Sequence, residues 1–322
     1  MNTIPETMRA AAIDRFGGPE ILTTHVLPVP ELSDEEVLIA LHTAGVGPWD
    51  ADIRAGWVPE DAVPQFPLVL GTDGSGRIAA VGSSVRGFQE GDEVYSYSWA
   101  NPKGGFYAEY VAVPAERAAH VPPGLALREA GAIPVTGLTA MQGIDGVLHV
   151  RRHESVLIHG GSGGVGTLAV QFAKLRAARV LVSASGPDGV ALVRRLGADE
   201  AVDGRHEDVA AAARSFAPDG LDAILALAGG EALEACIAAL HKGGRVAWPN
   251  GIEPEPKPRP GIKMASYDAV SDISEFTKLR QAIGAMKLQV PIDSEYPLDQ
   301  ASDAHSRLAR GHVLGKVVLR IR

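Results

Sequence analysis

The fold is decided by the stretch Ser155-Val156-Leu157-Ile158-His159-Gly160-Gly161-Ser162-Gly163-Gly164-Val165-Gly166. An apolar run enters a cluster of glycines, and an amphipathic segment from Thr167 to Arg176 leaves it. This order predicts a strand, a tight turn and a helix. The glycines at 161, 163 and 166 have the spacing of the dinucleotide-binding fingerprint. In that fingerprint the first glycine permits the turn, the second lets the backbone approach a pyrophosphate, and the third lets the helix pack closely on the strand. The free N–H groups at the start of the helix then face the phosphates.

A second interpretation of the same turn is a hydrolase. Gly160, Ser162 and Gly164 satisfy the GxSxG pattern, which places a nucleophilic serine between a strand and a helix. A third glycine in phase, Gly166, and the two-part organisation of the chain favour the dinucleotide. The sequence contains neither an HExxH nor a CxxC pairing, so no metal site is predicted from residue spacing.

Strands and helices alternate from the turn onward. Strands are predicted at 155–159, 179–183, 200–202, 222–227, 245–248 and 262–266, with helices at 164–176, 188–196, 209–216 and 231–241. Four of the strands are apolar runs without alternation, as expected for strands buried on both faces. The pattern predicts an α/β fold with a doubly wound parallel sheet of the Rossmann type.

The first part of the chain has a different character. Short strands are predicted at 8–13, 36–42, 76–81, 93–97, 107–113 and 118–121, separated by glycine and proline clusters, which favours a β-rich, barrel-like lobe. Helices follow at 128–133 and 138–144, and the end of the chain contains a helix at 299–310 and a strand at 316–321. We therefore predict a substrate lobe at 1–127, a dinucleotide-binding domain at 128–268 and a return to the first lobe at 269–322.

Composition excludes several function classes. The 322 residues carry a formal net charge of −9, which disfavours a nucleic-acid-binding scaffold. The N-terminus shows no signal-peptide pattern, and no apolar run is long enough to cross a bilayer, so we expect a cytoplasmic protein without a membrane partner. Cys236 is the single cysteine, which excludes an internal disulfide and a four-cysteine zinc lobe and favours a small core residue.

The choice of dinucleotide depends on the end of the second strand of the sheet. Proteins that bind NAD usually place an acid there to hold the ribose 2′-hydroxyl. Here the strand ends in Ser183-Ala184-Ser185, and the first acid is Asp188, which is also a plausible helix N-cap. Small hydroxyls tolerate a 2′-phosphate, and Arg205 offers a cation for it, although it is equally well explained as a solvated loop charge. These residues favour NADPH over NADH.

Six ordered motifs carry a family resemblance. They lie at 44–54, 70–76, 104–110 and 133–140, in the glycine turn, and at 296–318. With them the chain resembles the zinc-free quinone oxidoreductase branch of the medium-chain dehydrogenases/reductases, which implies a GroES-like substrate lobe. Zinc-dependent relatives have ligands where this chain has Gly47 and Thr72, and zinc-free relatives usually have asparagine at Gly47. A lysine found in many relatives near Gly189 and an aspartate at Ala226 are also missing.

The resemblance implies a cleft between the lobes and hydride transfer to a quinone or an α,β-unsaturated carbonyl. Trp49 and Trp99 are candidates for stacking on a planar acceptor, and Tyr97 and Tyr107 for donating a proton or hydrogen bond. Plain packing is the better explanation for each aromatic residue taken singly. Our hypothesis is that no single acid is essential, because water can protonate the product. The residues predicted to bind the cofactor are Gly47, Thr136, Gly161, Ser162, Gly163, Gly164, Val165, Ser183, Ser185, Arg205, Ala228 and Asn250.

Two other functions remain open at this point. One is an enoyl-thioester or 2-alkenal reductase on the same fold. The other is a catalytically weak NADPH-binding sensor, which the glycine at position 47 makes worth considering.

The related proteins pair through the edges of their nucleotide-domain sheets, so we expect a homodimer formed by the strand at 261–266.

Overall fold

The computed structural model describes residues 4–58 and 64–322, and their strands form three sheets. The strands are β1 (Thr7–Ile13), β2 (Thr23–Pro28), β3 (Glu36–Val46), β4 (Leu68–Val69), β5 (Asp73–Val81), β6 (Glu93–Tyr97), β7 (Tyr110–Pro114), β8 (Ala118–His120), β9 (Ser155–His159), β10 (Arg179–Ala184), β11 (Glu200–Asp203), β12 (Leu221–Ala226), β13 (Leu240–Pro249), β14 (Lys263–Tyr267), β15 (Ile292–Pro297) and β16 (Lys316–Arg320). The helices are α1 (Pro48–Ala55), α2 (Leu127–Ala130), α3 (Pro134–Met141), α4 (Gly164–Leu175), α5 (Gly186–Arg195), α6 (Val209–Phe216), α7 (Glu231–Ile237), α8 (Ile273–Gly284) and α9 (Ala301–Ala309).

The nucleotide-domain sheet is parallel and has the strand order β11-β10-β9-β12-β13-β14. Its central strand, β9, is buried along its whole length. Val156 and Ile158 belong to one apolar cluster with α3 and α4, whereas Leu157 belongs to the cluster on the opposite face, with α6 and α7. Helices therefore cover both faces, which explains why the strands are continuous apolar runs. The predicted doubly wound sheet is confirmed.

The substrate lobe contains a seven-stranded sheet with the path β15-β16-β3-β5-β6-β8, and β7 pairs with β3. A smaller sheet, β2-β1-β4, packs against it. The last strand, β16, runs antiparallel to β3, with Val317 opposite Val46 and Leu319 opposite Ala44. This pairing brings the end of the described chain back to the first lobe and carries Lys316 to the boundary with the nucleotide domain.

Several element boundaries differ from the sequence prediction. The helix predicted at 128–133 ends at Ala130 with Gly131 as its C-cap, and α3 starts afresh at Pro134. The helix predicted at 231–241 ends at Ile237, since β13 already begins at Leu240. The pattern analysis missed β2, α1, α8 and β15. Of these, α1 is the most important because it forms one wall of the cleft.

Candidate active site

The glycine turn after β9 is tightly packed. Gly160 has φ +84°, a conformation that favours glycine. A Cβ on Gly161 would lie 2.2 Å from Cγ1 of Val182 on the neighbouring strand, and a Cβ on Gly166 would lie 2.5 Å from Cα of Gly161. The structure therefore assigns to Gly166 the role predicted for the third glycine, which is to let α4 approach the turn.

The N-terminal end of α4 opens on the cleft. Its N-cap, Gly163, has extended backbone (φ −83°, ψ −176°) and no side chain that could cap the helix. A Cβ at this residue would meet nothing within 4 Å. Gly163, Gly164 and Val165 line a cavity of about 340 Å³, together with Gly47 and Thr136 from the other side of the cleft. Free N–H groups at the start of a twelve-residue helix, beside open space, fit the phosphates of a dinucleotide.

Two serines support the turn from behind. The hydroxyl of Ser183 accepts a hydrogen bond from the N–H of Gly160 at 3.0 Å and is bonded to Nδ1 of His159 at 2.9 Å. Burial lowers the pKa of His159 to about 4, so this imidazole is neutral near neutral pH. Ser183 is itself 3% exposed and its hydroxyl is hydrogen-bonded inside the protein, so its direct contact with the cofactor stays a prediction.

Ser162 is also a structural residue. The residue is 4% exposed, and its Oγ accepts a hydrogen bond from the N–H of Ser185 at 3.1 Å. A nucleophilic serine needs a general base within hydrogen-bond distance. Among the residues that the structure describes, no histidine or carboxylate is bonded to Ser162. The hydrolase interpretation of the turn therefore finds no support.

The far end of the cleft lies at the end of β10. Ser185 Oγ lies 3.0 Å from Nδ1 of His312, and Nε2 of His312 lies 2.9 Å from Oδ2 of Asp188. The hydrogen bond from His312 holds the pKa of Asp188 below its usual value. Arg205 is exposed, and only its backbone N–H is bonded to a described residue, Asp203. His312 was missed at this site because it comes from a segment more than a hundred residues away.

The substrate-lobe wall of the cleft is aromatic. The ring centroids of Trp49, Trp57 and Trp99 lie 5.2 to 5.7 Å apart in pairs. These indoles border a second cavity of about 510 Å³, which adjoins the first and is also lined by Tyr97 and Asn250. Trp57 was not among the predicted site residues. Trp49 and Trp99, the candidates for stacking on a planar acceptor, both border this second cavity. Ala228, another predicted cofactor contact, is exposed beside the glycine turn.

The two candidate tyrosines occupy different environments. Burial raises the pKa of Tyr97 to about 12, and its ring lies at the wall of the second cavity. Tyr107 is fully buried, and its hydroxyl lies 3.2 Å from Nε2 of His305. Burial and the nearby Asp50 carboxylate raise the pKa of Tyr107 well above its ordinary value. The hydroxyl of Tyr107 lies beside His305 and Asp50 within the lobe, and its direct contact with the substrate stays a prediction.

Comparison with known proteins identifies the family. A profile described as “Zinc-binding dehydrogenase” matches residues 196–319, and one described as “Alcohol dehydrogenase GroES-like domain” matches residues 33–123. The quinone oxidoreductase of Mus musculus is 32% identical over 338 residues, with 99% of each chain covered. The chain belongs to the quinone oxidoreductase branch of the medium-chain dehydrogenase/reductase superfamily. The family, the GroES-like lobe and the oxidoreductase class predicted from the sequence are confirmed.

Solved structures of this superfamily superpose over nearly the whole chain. One, titled an NAD-dependent alcohol dehydrogenase, is 33% identical with a TM-score of 0.89, covering 98% of this chain and 100% of its own. A mycobacterial protein complexed with NADPH is 28% identical with a TM-score of 0.85 and the same coverage. The protein is thus a medium-chain oxidoreductase with a pyridine nucleotide as its cofactor.

A buried charged cluster lies at the base of the cleft of this medium-chain reductase. Asp50 and Asp73 are 1% and 0% exposed, and Lys316 is 7% exposed. Oδ2 of Asp50 accepts the N–H of Gly47 at 2.8 Å, and Oδ2 of Asp73 accepts the N–H of Val135 at 3.0 Å. Burial raises the pKa of Asp50 to about 7, against the attraction of Lys316. The sequence analysis did not identify this cluster.

Arg54 lies one turn after Asp50 on α1 but does not pair with it. Its Nε donates to the carbonyl of Gly17 at 3.1 Å, and its Nη1 lies 2.7 Å from Nδ1 of His305. Burial, together with the Arg54 charge, lowers the pKa of His305 to about 3. The helix α1 therefore presents Asp50 to the cleft base while Arg54 anchors it to α9.

Residues 4–58 and 64–322 contain neither a candidate metal site nor a membrane-spanning helix. No group of three or more His, Cys, Asp or Glu side chains in this part of the chain has a geometry suited to a metal ion. No helix there is long and apolar enough to cross a membrane.

Proposed function

We propose that the protein reduces a quinone or an α,β-unsaturated carbonyl with NADPH, without zinc. The observation that carries this proposal is one continuous cleft. It joins the open N-terminal end of α4 to the cluster of Trp49, Trp57 and Trp99. When bound, a reduced nicotinamide supplies a hydride, and the protein must hold the acceptor beside it and exclude water.

The cleft walls suit a planar acceptor. Indole rings offer large apolar faces on which a conjugated ring can stack. Gly47 and Thr72, the residues at the positions where zinc-dependent relatives carry ligands, supply no thiolate or imidazole. An acceptor that is already electrophilic needs no Lewis acid, so these residues support a quinone or enone over a simple alcohol or ketone. The quinone oxidoreductase name of the mouse relative points to the same acceptor class.

Three features at the end of β10 support NADPH over NADH. The strand ends in serines, without the acid that usually binds a ribose 2′-hydroxyl. The Asp188 carboxylate, which would repel a 2′-phosphate, is already hydrogen-bonded to His312. Arg205 is exposed after the next strand, with its side chain unengaged by the described residues, and so is available as a cation for the phosphate.

A homodimer is also part of the proposal. The strand β14 is the outermost strand of the nucleotide-domain sheet and pairs only with β13 within the described chain. Three of its five residues are exposed, and the other two are half-buried. An unpaired strand edge is a natural surface for joining two sheets.

The test is a steady-state comparison of two nucleotides and three acceptors. We expect a KM for NADPH well below that for NADH, and turnover with a naphthoquinone or a simple enone. Equal KM values for the two nucleotides would overturn the cofactor assignment. Fastest turnover with an enoyl thioester would favour the thioester-reductase alternative. Tight NADPH binding without reduction of any acceptor would favour the sensor.

A further inference from the structure

The amine of Lys316 lies at the base of the cleft. The residue begins β16, and its backbone N–H is bonded to the carbonyl of Pro291 at 3.0 Å. Its side chain lines the same cavity as the N-terminal end of α4, and Cδ lies 3.6 Å from where a Cβ on Gly164 would stand. Within the described residues, the ammonium forms no hydrogen bond and no ion pair shorter than 4 Å. A buried amine that faces a cavity and has no protein partner is available to a ligand.

Two glycines make room for this amine. A Cβ on Gly47 would lie 3.3 Å from Nζ of Lys316 and 3.7 Å from Oδ2 of Asp50. A Cβ on Gly45 would lie 2.8 Å from Cε of Lys316 and 2.3 Å from Oδ1 of Asp73. A side chain at Gly47 would therefore stand directly over the ammonium. Its absence leaves Nζ open to the cavity.

Two carboxylates surround the amine. Asp50 on α1 and Asp73 on β5 each use one oxygen to accept a backbone N–H, while Oδ1 of each is buried without a partner among the described residues. The positive charge of Lys316 lowers the pKa of both carboxyls, against the larger opposing effect of burial. The other titratable groups near the carboxylates are the tyrosine hydroxyls of Tyr97 and Tyr107. Behind Tyr107 lie Arg54 and neutral His305.

We propose that Lys316 is the proton donor to the carbonyl oxygen of the acceptor, and that Asp50 and Asp73 are its positioning residues. The inference rests on the proposed function. The hydride reduces the conjugated acceptor, and the displaced electron pair goes to its carbonyl oxygen. That oxygen forms an O–H bond as one N–H bond of the ammonium breaks. The neutral amine then regains a proton from water, so one hydride and one proton are added in each turnover. This assignment replaces our hypothesis that water alone protonates the product.

The geometry favours a role for Lys316 as a proton donor to the acceptor over a role as a counter-ion of the two aspartates. A lysine kept only to neutralise buried carboxylates would be expected to contact them, because a close pair offsets the cost of burial best. Here the ammonium stands off from both and borders the cavity instead. It also lines the cavity beside the start of α4, where the nucleotide is proposed to bind, and a proton donor needs such a position.

The experiment compares Lys316→Met and Lys316→Arg with the wild type in the full chain. Lys287→Met, at an exposed lysine, is the matched control. We expect Lys316→Met to lose about a hundredfold or more in kcat with a naphthoquinone, the scale of general acid catalysis. The Kd for NADPH, from quenching of protein fluorescence, should stay within about threefold of wild type. The fall in kcat at alkaline pH, where an amine loses its proton, should disappear in Lys316→Met and move to higher pH in Lys316→Arg.

A double variant separates donation from folding. If Lys316 only balances charge, Lys316→Met combined with Asp73→Asn should restore both the melting temperature and kcat. If it donates the proton, the melting temperature recovers but kcat does not. Loss of less than about tenfold in Lys316→Met, or recovery of kcat in the double variant, overturns the assignment while leaving the proposed function intact. A wild-type protein that reduces no acceptor overturns both.

Discussion

The glycine turn yields a prediction in which two neighbouring glycines have opposite effects. In Gly166→Ala the new Cβ lies 2.5 Å from Cα of Gly161, whereas ordinary contacts begin near 3.4 Å. The helix α4 must therefore retreat by about 0.9 Å. Overpacking of this kind costs about 1–3 kcal/mol of stability. A displacement of this size also moves the phosphate-binding N–H groups, so nucleotide affinity falls as well.

In Gly163→Ala the new methyl group meets no protein atom within 4 Å, and the extended backbone accepts alanine. Stability should be unchanged or up to about 1 kcal/mol higher, since alanine restricts the unfolded chain. The methyl group instead occupies the space through which the phosphates approach. We expect the Kd for NADPH to rise at least tenfold, the equivalent of about 1.4 kcal/mol.

The assay combines thermal unfolding by circular dichroism with NADPH titration by calorimetry. Gly284→Ala, at the exposed end of α8 with no atom within 4 Å of its Cβ, is the control: it should leave the Kd unchanged and raise stability by no more than about 1 kcal/mol. Wild-type affinity in a folded Gly163→Ala protein would refute the reasoning, because it would show that the phosphates do not approach this residue. A stable Gly166→Ala protein would refute the packing argument.

Three further predictions follow from the charged and polar groups of the cleft. The folded-state pKa of Asp50, about 7, lies above its ordinary value of 3.8, so its contribution to stability is present at pH 4 and lost as the pH rises through 7. In Asp50→Asn, the free energy of unfolding from urea titrations should decline less over this pH range. Parallel plots of this free energy against pH for the two proteins would contradict the prediction. Tyr107→Phe should lower stability by about 1–3 kcal/mol, because Nε2 of His305 loses its hydrogen-bond partner. The kcat should stay within about threefold of wild type. A hundredfold loss of kcat would instead support Tyr107 as the proton donor. Asp188→Asn should lower the ratio of the KM for NADPH to the KM for NADH by up to about fivefold, because it removes a carboxylate near the end of β10. An unchanged ratio would place the 2′-phosphate elsewhere.

The elements that carry the nucleotide could be predicted because their signals are local. Apolar runs identify β9 and β10, and glycine spacing identifies the turn between β9 and α4. Each signal lies within a few residues of the feature it predicts. Ser162 in the turn and Ser183 on β10 could be identified as neighbours of the turn for the same reason. The direction of their hydroxyls depends on the packing of the turn against β10, which the sequence does not show.

The residues at the base of the cleft could not be predicted in this way. Lys316 reaches the cleft only because β16 pairs with β3 in a register that sets Val317 opposite Val46, some 270 residues earlier. Nothing in the periodicity of either strand specifies that pairing. The surroundings of Tyr107 could not be predicted for a related reason. An aromatic residue near a predicted strand is equally compatible with the cleft and the core, and only the position of His305 on α9 decides between them.

The segment just before β16 has a consequence for biosynthesis. Gly315 donates its N–H to the carbonyl of Ser162 at 2.9 Å and forms a bridge with Gly163, although it is translated about 150 residues later. A nascent polypeptide on the ribosome can already assemble its parallel sheet while this part of the cofactor pocket is still missing. Cofactor loading then becomes a late event in the life of the chain, and the pyridine nucleotide can protect the finished molecule from degradation but cannot guide the early stages of its folding.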